Sequence, residues 1–577
     1  MTKSVDVLII GGGPAGTTVG SLLRRYSPHL RVLIVEREQF PRDHIGESQL
    51  PAICKVLNEI GVWDKVEAAG FPIKIGSTYR WGRTDELWQV NFLTDDLQEQ
   101  PRPNKFEGQR ARTAFQVDRS IYDKILLDHS REVGCEVIEN MRVTEVLRDG
   151  DRILGVRVAP TKAGPEEAET VTARFYVDAS GVSGIIRRSM DVEVDSPTTL
   201  RNIALYDYWQ DAEWAETICR SGTRAQIMSI GWGWLWYIAI TSTRTSIGLV
   251  TPASYLKSCG KKPEDLYLEA IAAEPRISKL VGNARREKLF QTTKDWNYIS
   301  DRLAGENWFL VGDACGFADP ILTAGMTLAQ VGARKVAYTI LELERKELDP
   351  GWLRSEYTRT HRSNIIQHIR FAEFWYSSNG CFTDLQENCK QIAQDAGLDL
   401  SPDNAFRWLG TGGFASDVLA DEEANIFGFQ SARVIISRFT GLPMTWSVTQ
   451  NNRFKLDLVG AVPDTIAYYQ GGRVISVKCY KRGEKILPLN GPNQFVFSIL
   501  NQESDATTIA RHFTHFFKSR PRDFPNYGAA YQKAFEVLET MISEGWVTAS
   551  VNKARPFIPL GDPNTKSAVQ ASTSEEG

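Results

Sequence analysis

Three glycines and two acidic residues carry the first chemistry of this chain. Gly11, Gly13 and Gly16 fall in Gly11-Gly12-Gly13-Pro14-Ala15-Gly16, and Glu36 follows Gly16 by 20 residues. Gly11 suits a tight turn, Gly13 a close approach of backbone to pyrophosphate, and Gly16 the close packing of a helix on a strand. Amides at the helix start after Pro14, from Ala15 on, are free to meet phosphates. Glu36 is spaced to accept hydrogen bonds from an adenosine ribose. Asp313, in Gly312-Asp313-Ala314, can hold a second ribose or a ribityl chain. Lys74 stands between Ile73 and Ile75, either as a strand-edge lysine in solvent or with its amine kept in a cavity. Trp232, Trp234 and Trp236 alternate in Gly231-Trp232-Gly233-Trp234-Leu235-Trp236. On a strand all three would share a face, as an indole wall that excludes water or as sheet core.

The elements needed to position these residues are legible nearby. Val5 to Ile10 is an apolar strand-like run, Thr17 to Tyr26 is helical in pattern, and Arg31 to Val35 is a second apolar run. Strand, glycines, helix, strand and acid in that order define a dinucleotide site rather than a chance glycine cluster. Asn307 to Val311 reads as a strand delivering Asp313, and a helix begins after Thr323 with Gly325 in its first turn, next to the cofactor. Val177-Asp178-Ala179-Ser180-Gly181 closes another strand beside the adenine half. Gln116-Val117-Asp118-Arg119 opens a helix from which Arg119 is expected to meet the pyrophosphate.

At 577 residues and net charge −4, the chain has room for several cores and little affinity for nucleic acid in bulk. Its eight cysteines (Cys54, Cys135, Cys219, Cys259, Cys315, Cys381, Cys389 and Cys479) show no paired spacing, so reduced thiols are expected, with no metal site. No apolar run reaches membrane-spanning length, and the sequence enters a strand without a leader-like segment, which together point to a cytoplasmic location.

The ordered elements resemble the FAD-binding fold of the p-hydroxybenzoate hydroxylase type over about the first 340 residues. Gly410-Thr411-Gly412-Gly413 has no preceding strand, so no separate NADPH domain is expected. The fold class is α/β (α+β): a Rossmann-like FAD-binding domain with an inserted β-sheet substrate domain and a mainly helical C-terminal extension. The expected boundaries are 1–345 for the core, with inserted sheet at about 75–115 and 190–290, then 346–485, a winged-helix-like segment over 486–562, and a disordered tail over 563–577. Helices are read over Phe495–Leu500, Ala506–Phe517 and Ala529–Glu544, and strands with a Gly471-Gly472 turn over Val459–Pro488. DNA binding is rejected for the winged-helix-like segment because its basic residues do not cluster beyond Lys518–Arg522. Phe371 to Tyr376 is an aromatic patch read as core.

Three motifs together resemble those of flavin-dependent halogenases: Phe40-Pro41-Arg42-Asp43-His44-Ile45-Gly46-Glu47-Ser48, the Lys74 strand and the Trp strand. The resemblance places the family's essential lysine on Lys74, its Gly-Glu-Ser on Gly46, Glu47 and Ser48, and its Trp motif on Trp234, Trp236 and Ile238. Ala239 stands where the family has proline. Phe317-Ala318-Asp319-Pro320-Ile321-Leu322-Thr323-Ala324-Gly325 matches the family's halide segment, which puts halide on Thr323, Ala324 and Gly325. Leu322 replaces the glutamate of tryptophan halogenases, so the chain is most similar to the chloramphenicol and chondrochloren type.

The resemblance implies that reduced FAD, O2 and chloride or bromide yield hypohalous acid. Lys74 would polarise that acid as an ammonium or become a chloramine as an amine, and either way an electron-rich, phenolic ring in a natural-product pathway would be attacked. Glu47 is then a candidate proton acceptor or a support for Lys74. A separate flavin reductase and a substrate-bearing carrier protein are implied partners, with neither nucleic acid nor membrane among them. By the same resemblance Asp295 is a candidate for an ester to the flavin. The alternatives are an NADPH-dependent monooxygenase, a geranylgeranyl-type reductase, and a non-catalytic binding module built on the winged-helix-like end.

Overall fold

The structure is a computed structural model that describes residues 3–81, 87–93, 100–164, 167–198, 200–215, 222–294, 297–377, 447–483, 485–522, 527–558 and 569–571. The chain divides into two compact units, the first comprising Met1–Thr383, Tyr469–Val474 and Gln570–Gly577, and the second Asp384–Tyr468 and Ile475–Val569. The elements that matter for the site all lie in the first unit. In chain order they are β1 (Lys3–Ile10), α1 (Pro14–Tyr26), β2 (Val32–Val35), β3 (Ile73–Arg80), α2 (Arg119–Glu132), β4 (Glu169–Asp178), β5 (Asn202–Gln210), β6 (Gly222–Ile230), β7 (Gly233–Ala239), β8 (Arg244–Pro252), β9 (Trp308–Leu310), α3 (Gly325–Arg345) and α4 (Pro350–Ser377).

β2, β1, β4 and β9 pair in parallel, with Ile10 opposite both Val35 and Asp178, and Leu310 opposite Asp178. Val7, Leu8 and Ile9, like Leu33 and Ile34, are wholly buried, as parallel strands covered on both faces must be. The shared register brings four carboxyl ends to one edge. Gly11, Glu36, Ala179 and Gly312 therefore meet along a single line, where ligands of open parallel sheets bind. The α/β fold read from the sequence is the fold observed.

A second, mixed sheet runs in the order β5, β8, β7, β6, β3 and Trp88–Asn91, with β6 and β3 parallel. One face packs Leu205, Met228, Leu235, Tyr237, Ile247 and Leu249 against the helix Pro263–Ala273. The other face carries Trp234 and Trp236. The expected three-tryptophan wall is corrected here. The strand begins only at Gly233, so Trp232 sits in the preceding turn, stacks on Tyr255 and joins the helix-side cluster.

A bulge decides where Lys74 points. Lys74 opposes Thr223 while Gly76 opposes Arg224, so Ile75 is an extra residue in β3. Thr223, Ala225, Ile227 and Ser229 share a face, and Ile227 and Ser229 oppose Trp236 and Trp234. Lys74 thus lies on the tryptophan face, whereas unbroken alternation with Gly76 and Thr78 would have sent it to the helix side.

In the second unit, helices Gly491–Leu500, Ala506–Lys518 and Tyr527–Ser543 pack with the paired strands Arg453–Leu456 and Val547–Ser550 around Phe454, Phe513, Phe535 and Trp546. These helices and strands follow the rhythm read from the sequence. Gly471 and Gly472, both at positive φ, turn between the strands Val462–Gln470 and Arg473–Arg482. No helix among the described residues is long and apolar enough to cross a membrane.

Candidate active site

A solvent-open cleft with about 1230 Å³ of empty space, open solvent included, follows the carboxyl edge of the parallel sheet. It runs from Glu36 past Gly11, Gly13 and Asp313 to Phe317 and Gly325. At the glycine turn each position has its own reason. Gly11 has φ +109°, and a Cβ there would lie 2.3 Å from the Ala179 carbonyl oxygen. A Cβ on Gly16 would lie 2.0 Å from the Gly11 carbonyl oxygen. At Gly13 a Cβ would meet only Arg42 Nη2, at 3.5 Å, so the protein itself does not demand glycine there. The demand comes from the cleft. Glu36, buried, accepts from Gly12 N at 2.6 Å and Glu38 N at 2.9 Å, which fixes its carboxylate at the cleft's end. Asp178 accepts from Ile186 N at 2.7 Å and Ser180 N at 3.1 Å and shapes the Ala179–Gly181 wall. Desolvation pushes the Asp313 carboxyl up to about 6, against the opposing field of Arg119.

Arg119, expected at the pyrophosphate, lines the cleft together with Arg42. Arg119 Nε and Nη2 donate to the two carboxylate oxygens of Asp123 at 2.7 and 2.8 Å, and Nη1 donates to the carbonyls of Ile45 and Gly46. Its guanidinium is committed to holding the loop that carries Glu47. Arg42, placed 3.4 Å from Asp123 and stacked on Phe40, is the guanidinium at the glycine turn.

Beyond Phe317 stands a short, strained loop. Asp319 caps the turn Pro320–Leu322 by accepting from Ile321 N at 2.9 Å, and Thr323 follows with φ +54°. A β-branched residue in the left-handed region costs about 1–3 kcal/mol and persists only where its surroundings enforce it. Lys74 supplies one such constraint: fully buried, it donates from Nζ to Thr323 Oγ1 at 3.0 Å. Desolvation holds its amine down to about 7. The Thr323 amide donates to the Pro320 carbonyl, so of the three expected halide positions Thr323 is corrected to a scaffold role. The Ala324 and Gly325 amides, at the N-terminus of the 21-residue α3, carry no intramolecular hydrogen bond among the described residues.

The remaining expected residues separate into two groups. Trp234 and Trp236 are buried and in contact, with ring centroids 6.1 Å apart. Trp236 Nε1 donates to Ser246 Oγ at 3.1 Å and Trp234 Nε1 to Tyr376 Oη at 3.0 Å. Ile238 lies in phase with them, and Ala239 ends the strand. Neither Glu47 nor Ser48 hydrogen-bonds to Lys74 among the described residues. Glu47 accepts from Tyr208 Oη at 3.0 Å and from Gly46 N, and burial pushes its carboxyl up to about 7 despite that hydrogen bond and Arg119. Ser48 bridges Gln116 through its backbone, and its buried hydroxyl has no hydrogen-bond partner among the described residues. Glu47 thus gives Lys74 no direct hydrogen bond. Asp295 lies outside the described residues.

Tyr376, Asp319 and Trp81 are site residues that sequence reasoning passed over. Asp319 was visible inside its motif, and Tyr376 inside an aromatic patch that by itself signals only core.

The sequence model of the FAD-binding domain family matches residues 4–371. The chain belongs to that family, and within it to the flavin-dependent halogenases, with the chondrochloren halogenase among the structures it resembles. Among curated relatives, a tryptophan 2-halogenase from Chondromyces crocatus is 29% identical over 66% of this chain and 69% of its own length. A 1H-pyrrole-2-carbonyl-[peptidyl-carrier protein] chlorinase from Pseudomonas fluorescens is 29% identical over 66% of this chain and 85% of its own. The myxobacterial chondrochloren halogenase CndH is 28% identical with TM-score 0.60, covering 77% of this chain and 98% of its own. CmlS, a flavin-dependent halogenase, shares the fold at 24% identity and TM-score 0.72, covering 98% and 100%. The cofactor is FAD, and the cleft fits it: glycine cradle, ribose carboxylate, and a helix N-terminus at the far end.

Proposed function

We propose that the chain is an FADH2-dependent chlorinase acting on an electron-rich, phenolic ring in natural-product biosynthesis. The contact between Lys74 Nζ and Thr323 Oγ1 carries the reading. It puts a buried amine behind a loop whose Phe317 and Gly325 line the cofactor cleft. A monooxygenase or reductase of the same fold has no use for a lysine there. Gly13, Glu36, Arg42 and Asp313 would hold the cofactor along the cleft. When bound and reduced, FAD supplies with O2 the oxidising equivalents that turn halide into hypohalous acid. Ala324 and Gly325 amides hold the anion at the start of α3. Trp234 and Trp236 keep bulk water from the lysine side.

As an ammonium, Lys74 hydrogen-bonds to the hypohalous oxygen and polarises the O–Cl bond; as the ring attacks chlorine and that bond breaks, the ammonium gives its proton to the leaving hydroxide, which departs as water, and the ring proton restores the ammonium. As an amine it takes chlorine itself: an N–Cl bond forms, the O–Cl bond breaks, and the displaced proton joins hydroxide as water. Glu47, engaged with Tyr208, is not assigned the ring proton. A separate reductase supplies the reduced flavin. The pyrrolyl-carrier chlorinase among the relatives supports a carrier-bound substrate, though its own name fixes only its own reaction. The test mixes purified protein, FAD, a flavin reductase, NADH, chloride and resorcinol. Chlorinated resorcinol is expected only with the reductase present, and not from Lys74→Ala, which keeps its flavin and its O2 consumption. Reduction of the flavin by NADPH alone, or chlorination by Lys74→Ala at a comparable rate, refutes the reading.

A further inference from the structure

The left-handed Thr323 needs more than Lys74 to hold it, and a second set of constraints reaches the loop from outside the dinucleotide sheet. Tyr376, at the end of α4, donates from Oη to Asp319 Oδ1 at 2.9 Å. The same carboxylate oxygen accepts from Ile321 N at 2.9 Å. Tyr376 Oη in turn accepts from Trp234 Nε1 at 3.0 Å. An unbroken chain of hydrogen bonds therefore runs from the tryptophan face through a phenol and a carboxylate into the turn that ends at Thr323. All three side chains are buried.

The phenol is itself firmly placed. Trp81 Nε1 donates to the carbonyl of the neighbouring Trp375 at 2.8 Å, and the Trp81 ring packs against both Trp234 and Tyr376. Further up α4, Tyr357 donates to the Leu310 carbonyl at 2.5 Å, and Arg362 donates to the Ser300 carbonyl. One helix thus grips the chain twice ahead of Asp313, at Ser300 and Leu310, and once beyond it, at Asp319.

We propose that Tyr376 is a positioning residue for halide: through Asp319 it holds the Pro320–Leu322 turn in the geometry that aims the Ala324 and Gly325 amides. The inference rests on the halogenase reading and assigns to α4 a task that its sequence pattern, an aromatic patch, does not announce. Tyr376→Phe keeps the ring and its packing and removes the hydrogen bonds of Oη, the one to Asp319 and the one from Trp234 Nε1. Anion binding by pre-aimed amides weakens when those amides must first be ordered.

The test is Tyr376→Phe, measured three ways: flavin content, halogenation rate against chloride concentration, and the saturable part of tryptophan fluorescence quenching by bromide in protein without added reductant. The expected result is unchanged flavin content and a halide KM and bromide Kd each raised about tenfold or more. At saturating chloride, kcat should recover to within about twofold of wild type. An unchanged halide KM and bromide Kd overturn the proposal, as does a kcat that stays low at every halide concentration. Asp319→Asn keeps an oxygen for Ile321 and Tyr376 but removes the charge, and should show a smaller shift in the same direction; no shift there also overturns it. Wild-type protein that shows no halide saturation fails the halogenase reading and this one together. Saturation in wild type matched by Tyr376→Phe fails only this one.

Discussion

Replacing Lys74 by Met should make the protein more stable at low pH while abolishing its chemistry. The lysine is wholly buried, and desolvation lowers its amine from 10.5 to about 7. That difference corresponds to about 5 kcal/mol against the charged form. Between pH 7 and 10.5 the unfolded chain binds a proton that the native protein does not, so native stability rises with pH across that window by about 1.4 kcal/mol per pH unit. Below pH 7 the full penalty is present. Methionine removes it, and forfeits about 1 kcal/mol for the hydrogen bond to Thr323. The variant should therefore exceed wild type by a few kcal/mol at pH 6, and the gap should close as pH rises toward 10. Urea unfolding at pH 6, 7, 8 and 9 measures this, with FAD at one saturating concentration for both proteins because any native-state ligand adds stability. A gap that stays constant from pH 6 to 9 would show that Lys74 is not held in a desolvated site, and the argument for its burial would fall. The halogenation rate of wild type over the same range separates the two routes: a fall through pH 7 favours the ammonium, a rise the amine.

Gly13→Val should fold normally, since a Cβ there meets only Arg42 at 3.5 Å, yet purify colourless; stoichiometric flavin on the variant would show that the glycine turn is not the phosphate site. Gly76→Ala should lose about 1–3 kcal/mol of stability by overpacking and most of its halogenation while keeping flavin. A Cβ on Gly76 would lie 2.0 Å from the Val90 carbonyl oxygen, next to the bulge that aims Lys74, so normal kinetics in a stable variant would refute the role given to that bulge.

The sequence by itself determined the cofactor half of this protein. Its signals are local: glycine spacing, two apolar runs, a helix start and an acid at a fixed distance, each confined to a few tens of residues and each set by backbone sterics and phosphate geometry. The gene order of the second-unit helices was readable for the same reason, because capping and hydrophobic periodicity act within a turn or two. The family motifs likewise pointed to Lys74 and to the halide segment as residues.

What only the tertiary structure decided is how those residues meet. Lys74 and Thr323 are 249 positions apart, and their contact depends on one extra residue in β3 that reverses which face the lysine occupies. Strand alternation alone would have put it on the wrong side. Trp232 looked in phase with Trp234 and Trp236 because period two was extended one residue too far, into a turn. Arg119 lines the cleft as its position in the sequence suggests, but only the structure shows that Asp123, one helical turn on, takes its Nε–Nη2 edge and that the Ile45 and Gly46 carbonyls take Nη1. Tyr376 and Asp319 are 57 positions apart in unrelated patterns, so nothing short of packing α4 beside the halide loop could pair them. Short-range rules fix what each segment is. Which buried side chain faces which depends on register, bulges and helix placement, and these are settled by the whole core at once.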